Sequence, residues 1–307
     1  MKRRHFVQAG VAGCLLSSAC FAKTPRLIED GVADSLEGRI FKSLKIGMVK
    51  APGSLTEKFR AAKAAGFDAI ELDAPLRFTK TTIEGAQHAI SESGLIVDGT
   101  VCGSHWKATH THPDPDIRQQ ALGDLVKAIQ QTDALGGKTV LLVAGQGKDG
   151  KPAEIEARAV ENISKALPTA ARHGITIAIE NVWNQMHYDH DGPNTQTADR
   201  LIKFVDAFGS PLVGMQFDIG NHWKYGNMGD WIRQLGKRIV KLDLKGFSRA
   251  TGKFTHIGAG DVDWADVRKA LVEINFHGYA AAEVAGGGPE RLQEISTNVN
   301  RVMGLTD

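Results

Sequence analysis

Apolar and polar residues alternate along several short stretches of this chain. Isoleucine occupies every second position at the start of ITIAIENVWN, and Glu180 falls on the opposite, small-residue face. A period of two is typical of a β-strand whose two faces meet different surroundings. Three later stretches, VGMQFDIG, IVKLDLKG and YAAAEVAG, repeat the pattern and place Asp218, Asp243 and Glu283 in the same phase. Four acids are therefore predicted on four successive strands.

Strand and helix patterns alternate eight times towards the C-terminus. The predicted strands are Lys45 to Lys50, Asp68 to Ala74, Ile96 to Gly103, Thr139 to Gly145, Thr176 to Val182, Leu212 to Gly220, Arg238 to Phe247 and Tyr279 to Gly286. Eight β-then-α units in about 260 residues predict a single-domain α/β fold, the (β/α)8 TIM barrel. A doubly wound open sheet is the alternative, and it fits less well because no glycine-rich fingerprint follows the first strand.

The N-terminus has the layout of an export signal. Arg3 and Arg4 precede an uncharged run that ends in small residues near Ala22. RRHFV resembles the twin-arginine signal of bacteria, which implies the twin-arginine export machinery as a partner and a periplasmic or secreted location. Cys14, in the sequence VAGC, keeps a membrane-anchored lipoprotein as an alternative. We predict a signal peptide over residues 1–22.

Two further segments follow the predicted signal. Residues 23–43 are polar and aperiodic, which indicates an N-terminal arm or tether, and the barrel domain is predicted over 44–307. Removing the signal takes away three basic residues and no acids, so the formal net charge falls from +2 to about −1. The chain then has no basic surplus with which to bind nucleic acid. Cys102 becomes the single cysteine, which excludes an intrachain disulfide.

The four in-phase acids point to a metal. Acids at the C-terminal ends of barrel strands meet at the mouth of the barrel, where their like charges would repel one another without a cation. Carboxylate oxygens favour hard divalent cations. We therefore expect Mn²⁺, with Mg²⁺, Co²⁺ or Zn²⁺ as alternatives, and the predicted ligands are Glu180, Asp218, Asp243 and Glu283.

From Lys45 onward the chain resembles the xylose isomerase-like TIM barrels, a family that includes sugar isomerases, ketose 3-epimerases, inosose dehydratases and metal-dependent apurinic endonucleases. The motifs that carry the resemblance are GFDAIEL, IAIENVWN, FDIGNHW, KLDLKGF, GAGDVDW and GYAAAEVAGG. In the epimerase branch the matching positions imply that Glu180, Asp218 and Glu283 bind the metal together with a histidine. This chain has Asp243 at the histidine position, so either the site is all-carboxylate or His222 takes the role.

The residue types predict proton-transfer chemistry on a sugar. Removing a hydrogen next to a ketone requires a base, and a cation stabilises the charge that develops on the enolate oxygen. Glu180 and Glu283 come from strands three apart, so one can remove the proton and the other return it. The outcome is a sugar isomerase or epimerase; a lyase or dehydratase and a non-catalytic sugar-binding barrel are alternatives. A nuclease would need several histidines and a basic surface, and neither is apparent.

The sequence leaves open whether the chain forms a homo-oligomer.

Other residues near the predicted mouth are candidates for substrate contact. An aromatic face packs against a sugar ring and an amide reads its hydroxyls. A lysine there either holds a substrate oxygen or neutralises the acids. These candidates are Glu71, His105, Trp183, Asn184, His222 and Lys245. The glycine-rich stretches AGQGKDGK, IGAGDVDW and AGGGPE could each cradle an anion, although such stretches are more often ordinary loops.

Overall fold

The computed structural model describes residues 35–306, so the predicted signal peptide and the first part of the predicted arm lie outside the described residues. Eight parallel strands form a nearly closed barrel, which confirms the predicted TIM barrel. The barrel strands are β1 (Ile40–Leu44), β2 (Ala69–Ala74), β3 (Ile96–Cys102), β4 (Thr139–Leu142), β5 (Thr176–Glu180), β6 (Val213–Asp218), β7 (Ile239–Leu244) and β10 (Gly278–Ala282). Their order around the sheet is β1-β10-β7-β6-β5-β4-β3-β2. A bridge between Lys45 and Glu71 joins the two ends.

Helices cover the outside of this barrel. They are α1 (Leu55–Ala64), α2 (Ile83–Ser93), α3 (Pro115–Ala134), α4 (Pro152–Ser164), α5 (Leu167–His173), α6 (Asp199–Asp206), α7 (Met228–Leu235), α8 (Trp264–Glu273) and α9 (Pro289–Met303). Their apolar faces pack on the outward side chains of the strands, of which Ile177 and Ile179 are buried members. Within the described residues, no helix is long and apolar enough to span a membrane.

Two helix boundaries follow directly from local chemistry. Ser54 and Glu57 form a capping box at the start of α1 and satisfy backbone N–H groups there. The stretch IEARAVENISKALPTAARHG predicts one helix, but the structure has two, α4 and α5. Pro168 lies in the first turn of α5, where its missing N–H is tolerated.

The first strand lies earlier than the sequence pattern predicts. The predicted strand, Lys45 to Lys50, is wrong, because β1 occupies Ile40–Leu44 and Ile46–Met48 forms a 3₁₀ turn. The backbone N–H of Lys42 donates to Asp68 Oδ2 at 2.7 Å, and its carbonyl accepts from the Asp68 N–H at 2.8 Å. These two hydrogen bonds join β1 to the start of β2, and β1 pairs along its whole length with β10. The barrel sheet therefore begins inside the segment predicted as an arm.

A small hairpin follows β7. The predicted seventh strand runs to Phe247, whereas β7 ends at Leu244 and the chain then forms an antiparallel pair, β8 (Gly246–Ser248) and β9 (Lys253–Thr255). The pairing places Phe247 opposite Phe254, and their rings lie 5.4 Å apart. The hairpin therefore brings an aromatic side chain from β9 beside the end of β7.

The interior of the barrel contains a buried ion-pair network rather than only branched apolar side chains. The Lys241 ammonium lies 2.8 Å from Glu71 Oε1 and 2.5 Å from Asp98 Oδ2. Ser43 donates to the other oxygen of Asp98 at 2.9 Å. Lys241, Glu71 and Asp98 are all nearly inaccessible to solvent. A buried charge must be paired, so each of these residues fixes the others.

Replacing Lys241 with methionine should strongly destabilise the barrel. The change leaves Glu71 and Asp98 buried without their shared cation, and breaking a buried pair in this way costs about 3–5 kcal/mol. Urea unfolding followed by circular dichroism measures the loss. Lys269→Met is the control, because Lys269 is 72% exposed and lies 4.0 Å from Glu273. Equal unfolding free energies for the two variants would contradict the structural role of Lys241.

Candidate functional site

Four carboxylates converge at the C-terminal mouth of the barrel. Glu180 and Asp218 are the last residues of β5 and β6, Asp243 is the penultimate residue of β7, and Glu283 follows β10. The parallel register pairs Asp218 with Asp243. One carboxylate oxygen from each of the four residues lies within 4.8 Å of the others. The four strands therefore bring together the acids that the sequence places in phase.

Two lysines contact this group of acids. The Lys245 ammonium lies 2.6 Å from Glu283 Oε2 and 3.0 Å from Asp218 Oδ2. Both oxygens are buried, and neither receives a hydrogen bond of suitable angle. Lys45 lies 3.0 Å from Asp243 Oδ2 and 2.9 Å from Glu71 Oε2. Each lysine thus links two acids while leaving coordination capacity on the carboxylates.

Two asparagines hold the β5 and β6 ends in place. Asn181 exchanges a pair of hydrogen bonds with the Asp218 backbone, both at 2.8 Å. The backbone N–H of Asn221 donates to Asp218 Oδ1 at 2.6 Å, and its amide donates to Glu180 Oε1 at 3.4 Å. Gly220 permits the close approach of Lys245, since a Cβ at this position would lie 2.3 Å from Lys245 Cγ. The turn after β6 therefore orients two of the acids.

The electrostatics of the site show a shortage of positive charge. Burial, followed by the nearby charges of Glu283 and Asp243, raises the pKa of Glu180 well above its ordinary value. Burial, partly offset by Lys245, raises the pKa of Asp218 to about 8. Burial, partly offset by Lys45, raises the pKa of Asp243 to about 6. Burial also opposes ionisation of Glu283, but Lys45 and Lys245 outweigh it and hold its pKa below the ordinary value.

The residues present fit a divalent cation. Among the described residues, six carboxylates connect through these contacts, and three lysines, Lys45, Lys241 and Lys245, pair with them. Three ionised carboxylates would remain uncompensated, and a cation of charge two would remove most of that excess. The buried oxygens of Asp218 and Glu283 that lack directed hydrogen bonds are oxygen ligands of the type that hard cations prefer.

A cavity of about 380 Å³ opens above the acids. Glu180 and Glu283 lie in its lining beside Lys45 and Lys245. The remaining lining residues are Val101, His105, Trp106, Leu141, Val182, Trp183, Asn221 and Phe254. The volume lies within the range of about 300–1,000 Å³ found for small-molecule sites. The cavity thus combines a charged floor with partly aromatic walls.

A family model described as xylose isomerase-like TIM barrel matches residues 59–300. The chain belongs to this family. A D-psicose 3-epimerase of Enterocloster bolteae is 31% identical over 237 residues, which cover 72% of this chain and 73% of that protein. The L-ribulose-5-phosphate 3-epimerase UlaE of Salmonella typhimurium is 24% identical over 233 residues, which cover 72% of this chain and 79% of that protein.

A solved structure shows the same fold. The 3-keto-D-glucoside 4-epimerase YcjR from E. coli has a TM-score of 0.70 and 17% identity, with 87% of this chain and 100% of that chain covered. At this identity the likeness shows the shared barrel. The chemistry of this member of the xylose isomerase-like family therefore has to be argued from its own site.

Three of the six predicted substrate contacts line the cavity. They are His105, Trp183 and Lys245. His105 Nδ1 accepts from the Val143 N–H at 3.2 Å, and burial followed by the charge of Lys45 lowers the pKa of His105 to about 4. The imidazole is therefore neutral and offers its Nε2–H as a donor. The Trp183 indole donates to the Asn221 carbonyl, which fixes the ring.

The structure does not bring the other three to the cavity lining. Glu71 is fully buried between Lys45 and Lys241, whose charges outweigh burial and lower the pKa of Glu71 to about 2. Glu71 therefore belongs to the buried ion-pair network of the barrel interior. The Asn184 amide donates to the Gly145 carbonyl at 2.9 Å. Asn184 therefore links its own loop to the loop that follows β4.

His222 is buried away from the four-acid group. Its ring makes an edge contact with Tyr188 at 4.7 Å and lies 5.2 Å from Trp231. Burial lowers the pKa of His222 to about 3. Among the described residues, the group of potential ligands contains Asp243 and no histidine. The geometry therefore favours the all-carboxylate alternative.

Sequence reasoning missed several residues of the cavity lining, among them Lys45, Asn221 and Phe254. The predicted first strand contains Lys45, whose position directly after β1 carries it to the mouth. Asn221 directly precedes His222, the residue that the sequence favours for substrate contact. Phe254 reaches the cavity through the hairpin, and a three-residue strand such as KFT has no periodic signal.

The metal-free protein should lose thermal stability between pH 6 and pH 8. Asp218 and Asp243 have folded-state pKa values of about 8 and about 6, above their unfolded values of about 3.9. Their stabilising protonation is therefore complete below the unfolded pKa and is lost as the pH rises through the folded values. Differential scanning fluorimetry after chelation measures the change.

Adding Mn²⁺ should raise the melting temperature more at pH 8 than at pH 6, on the order of 5 °C, because ligand carboxylates must be deprotonated to bind. Asp218→Asn should abolish the response. Asp206→Asn is the control, since Asp206 forms an exposed pair with Arg238 outside the cavity. A Mn²⁺ response that is absent at both pH values contradicts the proposed fit.

Proposed function

We propose that this chain is a divalent-metal-dependent sugar epimerase or isomerase that acts by proton abstraction next to a ketone. The observation that carries the proposal is the convergence of four carboxylates within 4.8 Å, two of which, Glu180 and Glu283, line a cavity. The D-psicose 3-epimerase relative supports an epimerase of ketoses. Mn²⁺ is the expected metal, with Mg²⁺, Co²⁺ or Zn²⁺ as alternatives, because four carboxylates offer hard oxygen ligands without an imidazole.

Glu180 and Glu283 are the proposed acid and base. Their strands, β5 and β10, are three steps apart in the barrel, so their carboxylates reach a sugar from different directions. Glu283 is held ionised by Lys45 and Lys245, which suits a base. Once one carboxylate removes the proton, return by the other to the opposite face gives an epimer. Return to the neighbouring carbon, with transfer of a hydroxyl proton between the two oxygens, gives an isomer.

The remaining groups would position the sugar and stabilise the negative charge that develops on its enolate oxygen. A divalent cation held by Glu180, Asp218, Asp243 and Glu283 would polarise the ketone and stabilise the enolate charge. His105 offers a neutral N–H donor, and Trp183 offers a ring face. Lys245 lies close enough to Glu283 and Asp218 to keep both oriented.

Two alternatives share this site. If the enolate expels a substituent from the neighbouring β-carbon, the chain is a lyase or dehydratase. If the site catalyses no turnover, the chain is a sugar-binding barrel. Mass spectrometry of products from ketoses and 3-keto-glycosides in deuterated water separates the three. An epimer carries deuterium at the exchanged carbon, a lyase product lacks a substituent, and a binding protein leaves every sugar unlabelled.

Glu180→Gln and Glu283→Gln should each reduce solvent-deuterium exchange at least 100-fold, in keeping with general acid–base contributions of about 10²–10⁴. Each substitution removes an ionisable group while keeping the side-chain size. Exchange is measured by mass spectrometry under metal-loaded conditions. Glu161→Gln is the matched control, because Glu161 is an exposed residue of α4 paired with Lys165. Wild-type exchange in both active-site variants would remove these residues from the mechanism.

We also propose that the chain is exported in folded form. The support is the RRHFV sequence, which resembles a twin-arginine signal. Folding inside the cell lets the site fill with a hard cation before it meets copper and zinc, which bind divalent sites more tightly than manganese does.

Rerouting through a signal for unfolded chains should therefore yield periplasmic protein with more zinc or copper and lower activity. Metal analysis of protein purified from the periplasm measures the difference, with the native signal as the control. Identical metal content by both routes contradicts this reason for folded export.

A further inference from the structure

The charged floor of the cavity continues into walls that carry exposed aromatic rings. Trp183 and Phe254 form one wall, with ring centroids 5.1 Å apart and planes inclined by 38°. Trp106 lies in the lining with them, and its ring makes an edge contact with His105 at 5.6 Å. Phe254 is 47% exposed and Trp106 is 49% exposed. Aromatic side chains in a cavity lining are the surface that bound ligands commonly contact.

We infer that the substrate is a neutral keto-glycoside, in which the reacting sugar is joined to a second ring, rather than a sugar phosphate or a free monosaccharide. The inference rests on the proposed function, since it names the substrate class of that same site. The reacting ring would lie over Glu180 and Glu283. The second ring would then contact Phe254 and Trp106.

The charges of the cavity argue against a phosphate. Among the described residues that line it, the basic side chains that are protonated at neutral pH are Lys45 and Lys245. Both contact two carboxylates at 3.0 Å or less. A phosphate would have to compete with these acids for each ammonium. His105 is neutral and contributes no positive charge.

In each of the three glycine-rich loops, at least one backbone N–H group already has a partner within the protein. After β4, the Gly147 N–H donates to the Asn184 carbonyl at 2.7 Å. After β10, the Gly287 N–H donates to the Met48 carbonyl at 3.0 Å, and a Cβ on Gly286 would lie 1.9 Å from that oxygen.

The third glycine-rich loop follows the hairpin. The Asp261 N–H donates to the Phe247 carbonyl at 3.0 Å. The Asp261 carboxylate accepts from the Trp223 indole at 2.5 Å and from the Arg249 N–H at 2.9 Å. All three loops that could have bound an anion therefore have a structural role at these positions.

Contacts with Phe247 and Lys245 hold the aromatic wall in place. Phe254 packs against Phe247 across the hairpin, and the Lys245 ammonium lies 5.2 Å from the centre of the Phe254 ring. Trp183 contacts Phe247 at 5.8 Å. The wall is thus fixed from behind, while the front of the Phe254 ring stays open. A sugar ring can pack its C–H face on such a surface, and an aryl ring can pack its π face there. A surface that is already rigid loses little entropy on binding.

A matched series of sugars tests the inference. 3-Keto-D-glucose, its 6-phosphate and phenyl 3-keto-β-D-glucoside share one reacting ring and differ in the attached group. We expect kcat/KM for deuterium exchange to be at least 10-fold higher with the phenyl glycoside than with the free sugar, and lower with the phosphate. Phe254→Ala and Trp106→Ala should each reduce the glycoside-to-free-sugar ratio at least 5-fold. Phe254→Trp should retain it.

The control is Phe41→Ala. Phe41 is 42% exposed, packs against Tyr279 on the neighbouring strand and is absent from the cavity lining. Its removal should leave the ratio unchanged. Exchange with no preference for the glycoside, or with a preference for the phosphate, overturns the inference and leaves the proposed function standing.

Absence of exchange with every sugar overturns the proposed function instead. Calorimetric binding of phenyl β-D-glucoside and of glucose 6-phosphate then decides the substrate class. Glycoside binding that weakens at least 5-fold in Phe254→Ala supports the inference. Tighter binding of the phosphate, or glycoside binding that is unchanged in Phe254→Ala, overturns it.

Discussion

Neutralising buried carboxylates is the constraint on which the interior of this barrel depends. Glu71 and Asp98 lie inside the sheet with Lys241 between them, and the same chain of contacts continues through Lys45 to Asp243. Each charge has lost most of its hydration, so each requires a partner at hydrogen-bonding distance. The network therefore fixes the side chains beneath the charged floor of the cavity before any ligand binds.

The site itself differs from this interior in one respect. In the barrel interior Glu71 and Asp98 are matched by lysines, whereas in the four-acid group Glu180, Asp218 and Asp243 have raised pKa values because burial exceeds the compensation available. The excess negative charge is concentrated where the cavity opens. The proposed cation would find two ligands already oriented by the turn after β6. Stability of the framework and the proposed affinity for a cation would thus arise from different ends of one network.

Asp243 illustrates how a departure from the family pattern is accommodated. An ionised carboxylate brings a charge that a neutral imidazole would not, and Lys45 lies 3.0 Å from it. Gln216 adds a hydrogen bond to its second oxygen at 2.9 Å. Asp243 therefore belongs both to the interior ion-pair network and to the four-acid group. His222, the alternative ligand, is instead held among aromatic rings.

The amino-acid sequence by itself determined the barrel and the phase of its four acids. A period of two fixes which side of a strand a residue faces, and parallel strands end at the same edge of a sheet. Glu180, Asp218, Asp243 and Glu283 could therefore be assigned to one place before their distances were known. The motif resemblance to the family pointed to Glu180, Asp218 and Glu283, and it left the fourth ligand open between Asp243 and His222.

Only the tertiary structure decided which further side chains reach that place. Glu71 has the same inward phase as the acids, but it lies deeper in the barrel, where Lys241 and Lys45 bind both of its oxygens. Phe254 lies on a short hairpin whose position depends on packing against Phe247 and Trp183. The depth of a side chain within a barrel and the path of a loop depend on contacts between residues far apart in the chain. The local pattern of apolar and polar residues does not predict those contacts.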